Sequence, residues 1–218
     1  MITNDSQTDV LVCSPRSPAA KRGRGRPRGF DREEALDAAM RLFWERGYEG
    51  TSIRDLTKVM GLTSPSLYQT FGGKAPLFAE AVERYAASHA SFWKYLDGAE
   101  STALMAVGRW LVAAATMFTD PSHPNGCMIV SAAVNSSAGS AEIFDLLFCR
   151  RKEIALRLER KIQAGVDSGE LRIDTDVRQL AWFYATVYQG MSRQAQDGAP
   201  IGSLMATVQN SLRAWPSS

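Results

Sequence analysis

The chain has 218 residues, 45% of them hydrophobic and 22% charged, with a formal net charge of +2. That composition belongs to a folded globular protein, with room for one large domain or a small one beside a larger one. The longest apolar run, Trp110 to Phe118, is about half of the roughly 20 residues that a membrane span needs. No apolar signal core stands at the N-terminus, so a cytoplasmic protein with no membrane partner is expected.

Three cysteines (Cys13, Cys127 and Cys149) form an odd set without metal-ligand spacing, and only two histidines are present. Neither a metal nor another cofactor is expected. Charge is unevenly spread: from Arg16 to Lys74, 12 Lys/Arg stand against 7 Asp/Glu, and the remainder of the chain is mildly acidic. A basic front suggests that one end meets a polyanion, although charge alone fits a solvated basic surface equally well.

Residues 1–29 are rich in Ser, Pro, Gly and Arg and lack helical periodicity, the pattern of a disordered basic arm. Order starts at Asp31, whose spacing to Glu34 fits a capping box. Leu36, Ala39, Met40 and Phe43 then mark one helical face, closed by Gly47. A second helix opens at Thr51-Ser52 and stops at Gly61. A third starts after Thr63, tolerates Pro65 in its first turn, turns Leu67 and Phe71 inward, and ends at Gly72-Gly73. Beyond Lys74, helices are predicted over 75–96, 102–118, 127–135, 141–167, 177–196 and 202–215, with 120–126 a loop. No segment alternates with period two. The expected fold is all-α, with a three-helix domain over 30–75 and a larger helical domain over 76–218.

Two short helices joined by Gly61-Leu62-Thr63 have the spacing of a helix-turn-helix. The second helix of that motif enters the major groove, and this one leaves Thr63, Ser64, Ser66, Tyr68 and Gln69 free to face double-stranded DNA. Gln pairs with adenine through two hydrogen bonds, and hydroxyls serve base edges or phosphates. Thr51 and Lys74 sit at helix starts, where a hydroxyl, an ammonium and open amides clamp phosphate. By spacing alone, a three-helix subdomain with a merely polar surface also fits.

The run GFDREEALDAAMRLFWERGYEGTSIRDLTKVMGLTSPSLYQTFGGKAPLFAEAVERY resembles the N-terminal domain of TetR-family transcriptional regulators. The matching features are Arg46-Gly47-Tyr48, Thr51-Ser52-Ile53, Gly61-Leu62-Thr63, Leu67-Tyr68, Phe71 and Lys74. The resemblance implies a repressor that reads the major groove with its third helix and touches phosphates with Tyr68 and Lys74. Gln69 stands where a histidine is common, and Pro65 where a small or polar residue is. The resemblance also implies a homodimer on an inverted-repeat operator, released by a small effector.

In the arm, Arg24-Gly25-Arg26-Pro27 and Arg28 resemble the core of an AT-hook, in which arginines follow the narrow minor groove. A basic tail without preference is the alternative. In the larger domain, Trp110, Met117, Phe118, Phe144 and Phe148 are candidate lining for an apolar or aromatic effector, and equally candidates for an ordinary core. Leu180, Tyr184, Val187 and Met191, with Leu204, Val208 and Leu212, are candidate dimer faces unless they bury themselves within one chain. Cys127 follows a loop at a predicted helix start, where a thiol could serve as a redox or electrophile sensor, or simply pack.

No catalytic residues emerge, so an enzyme is not expected. Ser91-Phe92-Trp93-Lys94 lacks its companion motifs, Gly73-Lys74 lacks the rest of a phosphate loop, and the arm glycines follow no strand. A nucleoid-type protein bound by charge alone would not need so large an apolar domain.

Overall fold

The computed structural model of the chain describes residues 30–98, 102–132 and 140–216. The basic arm, with Arg24, Arg26 and Arg28, lies outside them. All regular structure among the described residues is helical.

Local chemistry sets the first three helices. Asp31 caps α1 (Arg32–Arg46), accepting the N–H groups of Glu33 and Glu34. α2 (Ile53–Met60) begins on a reciprocal capping box: the Ser52 hydroxyl accepts the Asp55 N–H, and the Asp55 carboxylate accepts the Ser52 N–H. Each such cap contributes about 1 kcal/mol. Gly61 ends α2 in left-handed backbone, φ 63°, where a side chain would cost about 1–2 kcal/mol. The chain then turns into Thr63, the N-cap of α3 (Ser64–Phe71). Leu56, Met60, Leu67 and Phe71 join Leu36, Ala39, Met40 and Phe43 in one buried cluster.

α4 (Lys74–Ser88) adds Leu77 and Phe78 to that cluster, Phe78 meeting Phe43 edge to face at 4.9 Å. Outside, the Arg84 guanidinium forks onto Asp37 at 2.9 and 3.0 Å and ties α4 to α1. The predicted single helix over 75–96 breaks at Ser88. There the His89 N–H, the Ser88 hydroxyl and the His89 ring all converge on the Tyr85 carbonyl, at 3.2, 2.8 and 2.9 Å. Side-chain bonds of this kind compete with the helical ladder. The chain continues as a 3-10 turn, Ala90–Trp93, and a short α5 (Lys94–Asp97), which bury Phe92 and Leu96.

α6 (Ala103–Phe118) is the centre of the larger unit. Its first amides, on Ala103 and Leu104, donate to the Glu170 carboxylate at 2.6 and 2.9 Å, so a distant loop caps it. α7 spans Met128–Ser131, and residues 133–135 of the predicted 127–135 lie outside the described residues. α8 (Ala141–Asp167), α9 (Val177–Gln196) and α10 (Ile201–Leu212) pack around α6. No linker separates the two units. α4 packs on α1 and α3 and also on α7 and α8, and the Tyr48 N–H donates to the Ala132 carbonyl at 3.3 Å.

Candidate nucleic-acid interface and effector cleft

Because Leu67 and Phe71 are buried four residues apart, α3 turns Ser64, Tyr68 and Gln69 fully outward, with Ser66 half-exposed and Thr63 exposed just before it. The Thr63 and Ser66 hydroxyls bond each other at 2.9 Å, which fixes the first turn of the helix. This face offers uncharged hydrogen-bonding groups of a kind that pair with base edges. α4 starts immediately afterwards with no side-chain cap, because its cap residue is Gly73. Its first amides are open to an anion. Lys74 holds its ammonium 4.1 Å from the centre of the Tyr48 ring. Partial burial lowers its pKa, and the charge of Glu49 opposes that shift.

Thr51 is a correction. Its side chain is fully buried, and its hydroxyl donates to the Gly47 carbonyl at 2.7 Å. The expected phosphate contact is replaced by a bond that closes the turn between α1 and α2. The exposed cations of that region are Arg54 and Lys58 on α2. Their signal was present in the sequence, since both lie away from the buried Leu56 and Met60.

In the larger unit the structure brings Trp110, Phe118 and Cys127 together around Tyr188. The Tyr188 ring stacks on Trp110 at 4.7 Å and meets Phe118 edge-on at 5.0 Å. The Tyr85 and Tyr188 hydroxyls face the Cys127 thiol, and burial pushes both phenols well above their ordinary range. Cys127 is 1% exposed, and its N–H donates to the Ser192 hydroxyl at 2.8 Å. The helix it opens is only four residues long, too short for much of a dipole. These side chains close on one another as core.

Phe144 and Phe148 are not interior lining. They stack on each other on the outside of α8, 41% and 38% exposed, because Ile143 and Leu147 take the inward positions. The predicted dimer faces divide in two. Tyr184, Met191, Leu204 and Val208 are buried within one chain, and Leu180, Val187 and Leu212 pack half-buried against the same core. The Tyr184 hydroxyl donates to the Ser211 carbonyl at 3.1 Å, tying α9 to α10. The outward residues of α9 include Trp182, Phe183, Thr186 and Gly190; those of α10 include Ile201, Gly202 and Ala206.

Open space lies elsewhere. A cleft of about 730 Å³ runs along the outer face of α6, between the α4–α5 joint and Leu212. Of the predicted lining residues it includes Met117 alone. A second, of about 570 Å³, continues it past Thr116 and Asp120 to Pro200 and Ile201. The inner end of the larger cleft holds His89 and His123, their ring centres 6.3 Å apart. His123 stacks on Trp44 of α1 at 4.5 Å, and His89 lies against Tyr85 at 4.3 Å. Burial lowers the pKa of His89, helped by the nearby His123 and opposed by the bond to the Tyr85 carbonyl. Sequence reasoning missed this pair, whose one signal was that the chain has no other histidine. Among the described residues no three His, Cys, Asp or Glu converge as a metal site, and no helix is long and apolar enough to cross a membrane.

Comparison with known proteins agrees with this geometry. Residues 35–81 match the family described as bacterial regulatory proteins, tetR family, and residues 104–207 match the tetracyclin repressor-like C-terminal domain. The HTH-type transcriptional repressor ComR of Escherichia coli K12 is 36% identical over 213 residues, covering 96% of this chain and 97% of that protein. The repressor BdcR of the same organism is 28% identical, covering 84% of this chain and 88% of its own length. Among solved structures, a cysteine mutant of the TetR family regulator CifR, complexed with 26 bp double-strand operator DNA, superposes with a TM-score of 0.84. It is 42% identical and covers 88% of this chain and all of its own.

Proposed function

The chain belongs to the TetR family of transcriptional regulators and is a repressor of that family; from there we propose that it acts in the cytoplasm as a homodimer on an inverted-repeat operator and leaves it when a small molecule binds. One observation carries the DNA half of this reading. An uncharged hydrogen-bonding face, Ser64, Tyr68 and Gln69, is presented next to an uncapped helix start at Gly73-Lys74. Gln69 and the hydroxyls supply base-edge contacts, while Tyr68, Lys74, Arg54 and Lys58 hold phosphates. Arg24, Arg26 and Arg28 of the arm reach the adjacent minor groove.

The dimer rests on the outward faces of α9 and α10. Trp182 and Phe183 project at one end, while Gly190, Gly202 and Ala206 leave flat ground at the other. A two-fold axis sets the projections of one copy on the flat ground of its partner. It also sets two α3 helices on successive turns of the same DNA face. Effector release is then a population shift between spacings of the two α3 helices, requiring the ligand to discriminate by roughly 3–5 kcal/mol. A reactive-thiol sensor of the same architecture is less favoured, since Cys127 is closed off beneath Tyr85 and Tyr188.

The test is binding to duplex DNA from upstream of the chain's own gene, at two salt concentrations, against a scrambled duplex. Preference for the native duplex that survives higher salt supports the reading. Equal and steeply salt-dependent binding to every upstream duplex tried would count against it.

A further inference from the structure

The cleft along α6 is walled by Tyr95, Val112, Ala113 and Met117, and its inner end carries both histidines of the chain. The hydrogen bonds of the two rings set their chemistry. The His89 Nδ1 lies 2.9 Å from the Tyr85 carbonyl, and the His123 Nδ1 lies 2.9 Å from the Pro124 carbonyl. A carbonyl oxygen only accepts, so each Nδ1 carries the hydrogen, and each Nε2 of the neutral ring is left as a lone-pair acceptor. Neither Nε2 has a hydrogen bond among the described residues. Asp120, at the same end, is a third acceptor, already receiving the Ser122 N–H at 2.8 Å. Arg109, exposed on α6, is the one cation of the lining.

An apolar trough that ends in acceptors selects a ligand with an apolar body and a hydrogen-bond donor. An anion would set its charge against two lone pairs and a carboxylate. We propose that this cleft is the effector site, and that it takes an uncharged aromatic hydroxyl compound whose O–H donates to the imidazole of His123 or His89. The inference rests on the effector-release reading above and places the effector outside the aromatic core of Trp110, Phe118 and Tyr188.

The same residues connect the cleft to the DNA-binding unit. His123 stacks on Trp44 of α1, and the Arg41 guanidinium of α1 donates to the Ser122 carbonyl at 2.9 Å. A ligand bonded to His123 therefore pulls on a loop that touches α1 directly. Occupancy and operator affinity are coupled through that contact, in the usual range of about 5–150-fold.

With two histidines in the chain, nitrogen NMR of full-length protein labelled in its imidazoles reads the site without DNA. Phenol is the probe, with anisole and benzoate as controls. Phenol is expected to give a saturable shift at an Nε2, while anisole, which has no donor, and benzoate, which is charged, do not. His123→Phe and His89→Phe each keep a ring beside Trp44 or Tyr85 and remove one acceptor; one of the two should weaken phenol binding about ten-fold, the loss of a single hydrogen bond, and full phenol affinity in both overturns the proposal. No saturable shift with phenol, or equal shifts with anisole, overturns the proposal even where specific operator binding holds. Imidazole shifts with phenol in a protein that ignores every upstream duplex would keep the hydroxyl-binding cleft and remove the regulatory reading instead.

Discussion

The ring of Tyr68 lies against Gly73: a Cβ built on that glycine would stand 3.3 Å from Cε1 of the tyrosine. The backbone of Gly73 has φ 124°, a region that side chains rarely enter. One residue thus ends the turn after α3, leaves the start of α4 uncapped and makes room for an exposed aromatic ring on the outward face of α3. Gly73→Ala should cost about 1–3 kcal/mol of stability through backbone strain and displace Tyr68. Urea denaturation reads the first effect. Operator titration of the folded fraction reads the second, as a loss on specific DNA.

Base reading and phosphate holding separate by salt. Gln69→Ala should lose about 1–3 kcal/mol on the operator and little on scrambled DNA. Lys74→Ala should weaken both and flatten the salt dependence by about one unit of slope. Thr51→Val is the control: it removes the bond to the Gly47 carbonyl, costs about 1 kcal/mol of stability, and leaves the slope unchanged because the side chain is buried. A Thr51→Val slope as flat as that of Lys74→Ala would restore a phosphate contact to Thr51.

Two faces of the last helices compete for the dimer role, and they respond differently to charge. Trp182→Glu should give folded monomers, seen by light scattering with unchanged helicity, and operator affinity should fall steeply. Val208→Glu places a carboxylate in the core of one chain and should unfold it, since an unpaired buried charge costs several kcal/mol. Folded dimers of Trp182→Glu would move the interface elsewhere.

Acid should weaken the fold through His89. Burial lowers the pKa of that imidazole from 6.5, so below that value the unfolded chain binds a proton that the native state does not. Stability is fully present above about pH 6.5 and falls as pH drops below it. Thermal unfolding at about pH 7.5 and about pH 5.5 should show a loss that His89→Phe, which keeps a ring beside Tyr85, makes smaller. An equal loss in the variant would assign the acid sensitivity to other groups.

Helix limits and the outward face of α3 were legible in the sequence because they are set locally. Asp31, the Ser52–Asp55 pair, Thr63 and Gly61 act within three or four residues of their own backbone, so each carries its meaning in any tertiary context. Leu67 and Phe71, four apart, leave one possible outward face on a helix as short as α3. The family resemblance followed from the order of the same local motifs.

What covers an apolar face is not a local matter. The stripe Leu180, Tyr184, Val187 and Met191 shows that α9 buries one side, but only packing decided that α6, α8 and α10 of the same chain cover it. The proposed dimer is thereby placed on the opposite side, with Trp182 and Phe183. Phe144 and Phe148 failed as lining for the same reason, since neighbouring Ile143 and Leu147 took the interior. The break after Ser88 needed three donors gathered on one carbonyl. The histidine pair needed a loop after α6 to fold back onto α1. Periodicity and capping are properties of a helix by itself, whereas clefts, interfaces and paired imidazoles arise only once the helices have neighbours.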